Sequence, residues 1–201
     1  MKRSIFWILS IILIFLINSV WAADPPIAVL AAAEDGITIF FNDDDIPALG
    51  KGFQIFTVNP DKILDGSFAE DLHKIAEPTN LWQFIVLSGT KPIALLSVDK
   101  LNGEYTPVSI GASNFSYQLS RVTSAWPEAE GYRLRLIRIY QATSDFIEVS
   151  QGEEIIGFVP FESGRVTMSL ATRDCIPFDV HTSSSIINKI RPIVRENIST
   201  Y

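Results

Sequence analysis

The chain has 201 residues, 47% of them apolar and 19% charged, which excludes both a disordered chain and a fibrous repeat. Beyond the first 22 residues, 14 basic side chains face 23 acidic ones, so nucleic acid is a poor partner. The remaining length of about 179 residues suits one domain with its own core, and a single domain is expected.

Met1-Lys2-Arg3-Ser4 leads into an apolar run from Ile5 to Ile17, broken only by Ser10, and then into Val20-Trp21-Ala22-Ala23. These are the charged start, apolar stretch and small-residue cleavage site of an export signal. The run is about 13 residues, short of the ~20 that cross a bilayer as a helix. Residues 1–22 are therefore expected to be a cleaved signal peptide, cut after Ala22, with no transmembrane span in the mature chain. No Cys stands at the cleavage site, so a lipid-anchored lipoprotein is not expected. The expected destination is secreted or periplasmic. Cys175 is the only cysteine, so no intramolecular disulfide can form and stability must come from a hydrophobic core. Its simplest role is that of a small buried apolar residue.

Asp24-Pro25-Pro26 reads as an extended spacer. Ile27 to Ala33 is either an Ala-rich helix or the first arm of a hairpin that turns at Asp35-Gly36 into Ile37 to Phe41, and the tight-turn dipeptide favours the hairpin. A strand is expected at Phe53 to Val58, then a turn at Asn59-Pro60-Asp61. Ser67 and Glu70 have capping-box spacing, which predicts a helix from Ser67 to Glu77 stopped by Pro78. Leu81 to Leu87 and Ile93 to Val98 form a hairpin with both faces buried, and Asn102-Gly103 turns into Tyr105 to Ile110, which Pro107 confines to an edge or a bulge.

Phe115, Leu119, Val122 and Trp126 recur at helical spacing between a candidate cap at Ser113 and a stop at Pro127. From Tyr132 the period becomes two: Tyr132, Leu134 and Leu136 face one way, Arg133 and Arg135 the solvent side, with a phase slip at Ile137 that suggests a bulge. Strands at Asp145 to Val149, Ile155 to Phe161 and Val166 to Ala171 complete a four-stranded antiparallel meander. In the tail, Ile186, Ile187, Ile190, Ile193, Val194 and Ile198 follow helical spacing around Pro192, which predicts a bent helix docked on the domain or, alternatively, a partner-binding segment. The expected fold is α+β: a predominantly antiparallel sheet of about eight or nine strands with two main helices over residues 23–182, and a C-terminal amphipathic tail over residues 183–201.

The side chains able to do chemistry are few. Cys175 and His181 could pair as nucleophile and base, six residues apart, but no oxyanion element accompanies them. His73 falls on the polar flank of the expected helix, where an exposed histidine is ordinary. Asp43, Asp44 and Asp45 could supply some oxygens to a hard cation, yet the loop lacks the alternating acids, central Gly and closing Glu of a helix-loop-helix site. Arg133, Arg135 and Arg138, with Arg121 on the preceding helix, form the densest basic group. Arginine forks bind carboxylate or phosphate, or pair with the chain's own acids. Ile110-Gly111-Ala112-Ser113 is a strand-to-helix junction of the kind that can hold an anion on free backbone N–H groups. Asn114-Phe115-Ser116 and Asn197-Ile198-Ser199 match the glycosylation pattern. No cofactor is implied. The leading functional reading is a non-enzymatic exported binding or accessory module whose partner is a protein or small molecule in the envelope or outside the cell. The alternatives are a thiol-dependent hydrolase or transferase using Cys175 and His181, and a carrier of an apolar small ligand.

Overall fold

A computed structural model describes residues 24–41, 46–65, 71–170 and 178–199. Seven strands form one sheet: β1 (Ala48–Val58), β2 (Ala76–Ser88), β3 (Lys91–Leu101), β4 (Glu104–Gly111), β5 (Tyr132–Ile139), β6 (Ser144–Gln151) and β7 (Glu154–Pro160). Their order is β4-β3-β2-β1-β5-β6-β7. Every pairing is antiparallel except that of β1 with β5, which runs parallel from Ile55–Leu136 to Thr57–Arg138. Two meanders therefore meet at one central seam. Among the described residues six α-helices accompany them: α1 (Ile27–Phe40), α2 (Pro60–Leu64), α3 (Leu72–Ile75), α4 (Ser113–Ala125), α5 (Glu162–Thr167) and α6 (Ser183–Ser199). The fold is α+β and mostly antiparallel, with fewer strands and more helices than the sequence suggested.

Alternation along the strands divides the core into layers. Trp82, Phe84 and Val86 of β2, with Leu96 and Val98 of β3, lie under Val29, Ala33 and Ile37 of α1. On the same face, Phe56, Val58, Ile137, Ile139, Phe146 and Phe158 lie under α2, α3 and α6. The opposite face carries Ile55, Ile85, Leu95, Leu136, Ile147 and Val159, packed with Leu119 and Val122 of α4.

Four local expectations are corrected. Residues 27–40 are one helix, not a hairpin; Gly36 is inside it, where a Cβ would come within 2.8 Å of Pro107 Cβ. Asn59-Pro60-Asp61 opens α2, with the Asp61 N–H donating to the Asn59 side chain at 2.9 Å. Helix α3 ends at Ile75, and Pro78 sits within β2 rather than stopping a helix; the capping residues Ser67 and Glu70 lie outside the described residues. Finally, the meander has three strands, because residues 162–167 coil into α5 and the turn expected at Ser163-Gly164 belongs to that helix. A Cβ at Gly164 would sit 2.8 Å from the Asp145 carbonyl.

Both sheet edges are blunted against further pairing. On β4, Pro107 lacks an N–H and the register shifts opposite Ser97 and Val98. On β7, Phe158 exchanges two backbone hydrogen bonds with His181, at 2.9 and 2.8 Å. Helix α6 runs through Pro192 on its exposed side and buries Ile186, Ile187, Ile190 and Val194 completely. Ser183 at its start accepts the Leu72 N–H at 3.0 Å, and Arg191 Nε donates to the Ile63 carbonyl at 2.9 Å, so α6 is tied to α2 and α3. Among the described residues no helix is long and apolar enough to cross a membrane.

Candidate functional site

Strand β5 carries three of the four arginines that the sequence groups together, and its register against β6 is continuous from Tyr132–Gln151 to Ile139–Ser144. The bulge expected at Ile137 is absent. Arg135 shares its side of the strand with Ile137 and Ile139, and that side is covered by helices instead of solvent. Arg135 is 3% exposed and Glu148, directly opposite on β6, 1% exposed, so an arginine that the alternation placed in water is in the core, with a carboxylate beside it.

They are compatible with that position because each finds its opposite charge in the other. An Arg135 terminal nitrogen donates to Glu148 Oε2 and to the His73 backbone carbonyl, both at 3.0 Å, and the guanidinium carbon lies 4.6 Å from the Phe56 ring centre. His73 Nδ1 lies 3.0 and 3.1 Å from the two carboxylate oxygens. Because an ionised carboxylate can only accept, Nδ1 is the donor. His73 is thus not a freely exposed side chain on a helix flank; it fastens α3 to β6. Burial pushes the Arg135 guanidinium below its usual range, while the charge of Glu148, its hydrogen bond and, more weakly, Asp71 oppose that shift.

Arg138 points to the α4 side of the sheet, where its Nε donates to Asp145 at 2.7 Å. Ser163 Oγ also donates to that carboxylate, at 3.2 Å, and accepts the Asp145 N–H at 3.0 Å. Arg133 is exposed and lines a separate cleft of about 510 Å³ with Asp24 and Glu128. Arg121 lies on α4, its guanidinium carbon 5.7 Å from the Tyr117 ring centre and 5.6 Å from that of Phe178. The fold thus distributes the four arginines among four environments: a buried ion pair, a half-buried ion pair, a cleft rim and an aromatic clamp.

A groove of about 580 Å³ opens where α4 and α5 begin. Its floor and walls include Ala112, Phe115, Phe161 and Val166; Asp145, Glu162 and Ser163 stand at its polar margin. Phe115 and Phe161 meet edge to face, 4.7 Å between ring centres, which fixes both rings. Val166 is 68% exposed and so leaves an aliphatic wall in water. The Gly111-Ala112 junction beside the groove does adopt unusual backbone, with Ala112 at φ +53°, and α4 begins without a side-chain cap. The carboxylate next to it is the chain's own: Glu162 Oε2 accepts from the Asn114 amide at 2.6 Å and from the Gln118 amide at 3.4 Å, while Gln118 Oε1 accepts the Glu162 N–H at 3.0 Å. The amides of both glycosylation-pattern asparagines are engaged, since Asn197 donates to the Gln141 carbonyl at 2.6 Å.

Asp43, Asp44, Asp45 and Cys175 lie outside the described residues. His181 is placed by its backbone pairing to Phe158, and its Nε2 is buried with no hydrogen-bond partner among the described residues. Among those residues, no group of three or more His, Cys, Asp or Glu is arranged to hold a metal ion. Compared with family models, curated proteins and solved structures, the chain matches none.

Proposed function

We propose that this is a non-enzymatic binding module that works outside the cytoplasm and takes an apolar group of its partner into the α4/α5 groove. One observation carries the reading: a concavity of about 580 Å³, the size of ordinary ligand sites, whose aromatic floor is held rigid and whose wall includes a strongly exposed valine. The charged start and short apolar run of the sequence support export. A single preparation tests both parts. Protein recovered from the extracytoplasmic fraction should have Ala23 as its first residue by mass spectrometry. Titrated with the neutral fluorophore N-phenyl-1-naphthylamine, it should show saturable enhancement that Val166→Asp abolishes and Ile27→Asp, on the exposed end of α1, leaves intact. An intact Met1 would defeat the export reading, and enhancement indifferent to Val166→Asp would defeat the groove.

The buried Nε2 of His181 favours a second reading, in which Cys175 shares a hydrogen bond with it and acts as a nucleophile. That thiol would alkylate in the native protein faster than an unperturbed one near neutral pH. Labelling only after denaturation would end the thiol reading.

A further inference from the structure

The groove occupies one end of a longer surface. Asn114, Tyr117, Gln118 and Arg121 are spaced three, four and seven positions along α4, which places them on one stripe, away from the buried Leu119 and Val122. Asn114 lines the groove, and both Asn114 and Gln118 are committed to Glu162. Arg121 is held differently from the arginines whose acids the fold supplies. Arg135 has Glu148, Arg138 has Asp145 and Arg165 has Asp179. Arg121 has two aromatic rings, and among the described residues no carboxylate lies within ion-pair distance of it. Phe178 is itself anchored, 5.4 Å from the Trp126 ring centre.

A clamped guanidinium differs in kind from a solvated surface arginine. Contact with two rings limits the positions the guanidinium takes, so part of the side-chain entropy is already lost in folding, while a ring face occupies none of its N–H donors. Its surroundings also discriminate among anions. Glu162 at the start of α5 and Asp145 on β6 both line the groove and would repel a dianion more strongly than a single carboxylate. Tyr117, 51% exposed, adds the kind of aromatic surface on which protein interfaces concentrate binding energy.

From these features, and resting on the groove reading above, we propose that the outer face of α4 binds an extended peptide segment of a partner protein, with a bulky apolar residue in the groove and a carboxylate three residues away on Arg121. The interval follows from geometry. Asn114 at the groove and Arg121 are seven helical residues apart, about 10 Å at 1.5 Å per residue, and an extended chain covers that in about three residues at ~3.3 Å each.

The test uses fluorescein-labelled Glu-Ser-Ser-Phe-Ser-Ser-Glu, which presents the acid at the right interval in either chain direction, and its counterpart with Gln at both ends, titrated by fluorescence anisotropy into the full mature chain. The acidic peptide should bind at least about tenfold more tightly than the amide peptide, in line with the strength of a charge-assisted hydrogen bond. Arg121→Gln should reduce the acidic peptide to the affinity of the amide one without weakening the amide one, and Arg121→Lys, which keeps the charge but loses the flat fork, should recover only part. Thermal melts establish that each variant folds. Equal binding of the two peptides to the wild-type chain, or undiminished binding of the acidic peptide to Arg121→Gln, overturns the inference. In either case the groove reading survives if Val166→Asp abolishes binding of both peptides. Failure of both peptides to bind at about 1 mM also overturns the inference, and the naphthylamine titration then decides the groove independently.

Discussion

Arg135 and Arg121 each lie against aromatic rings, one under the helices that cover β5 and β6 and the other on the outside of α4. Arg135 is 3% exposed and meets a carboxylate on the neighbouring strand; Arg121 meets none among the described residues. The difference shows what decides whether a guanidinium belongs to the fold or to a partner. A charge removed from water must find its counter-ion within the chain, whereas a charge left at the surface can be oriented by apolar contact alone and keep its hydrogen bonds for another molecule. The buried end of the molecule is closed in this sense, and the α4 face is open.

Breaking the closed end should have the largest effect. Deleting residues 183–201 strips four fully buried aliphatic side chains from the core. At roughly 1.5 to 3 kcal/mol each, their loss approaches the about 5 to 15 kcal/mol that holds an ordinary domain together. Circular dichroism should therefore show no cooperative melt for the truncated chain, and a melt within a few degrees of the intact protein would mean that α6 is dispensable. The next effect comes from Glu148→Ala, which leaves Arg135 buried beside His73 without its acid and should cost about 3 to 5 kcal/mol in urea unfolding. The double change Arg135→Met with Glu148→Leu should cost less than Glu148→Ala alone; a larger cost would show that the pair stabilises the core beyond what apolar packing can replace. The smallest effect belongs to the open end. Arg121→Gln should change stability by no more than about 0.5 kcal/mol, and a greater loss would place Arg121 with Arg135 as a structural residue.

Much of the sheet was legible because its signals are local. The hairpin of β2 and β3, the turn at Asn102-Gly103 and the edge position of the Pro107 strand all follow from alternation and turn chemistry. The two elements misread as strands share one cause. Gly36 and Gly164 each looked like turn residues, yet both serve by lacking a Cβ where a helix approaches another element closely, and the sequence alone cannot distinguish these uses of glycine. The polar cluster was hidden by distance along the chain, since His73 and Glu148 are 75 residues apart. One signal was present. Ile137 and Ile139 share the parity of Arg135, and what resembled a slip in phase was a strand with both faces buried and an arginine inside. At the proposed site, the spacing of Tyr117 and Arg121 on α4 could be read, but Phe178 reaches them only through the tertiary fold.

The parallel seam between β1 and β5 sets how the sheet holds together. It pairs three positions, where β5 and β6 pair eight, and Thr57 and Arg138 at its end are 81 residues apart in the chain. Closing a loop of that length costs more entropy than closing the short turns within either meander, and few backbone bonds repay it. What joins the halves is side chains above and below: Phe56 with Ile137 beneath α6, and Ile55 with Leu136 in the layer that α4 completes. Helices α4 and α6 are thus the stitching between two small sheets, and the continuity of the seven strands is secured from the layers outside them more than from the ladder itself.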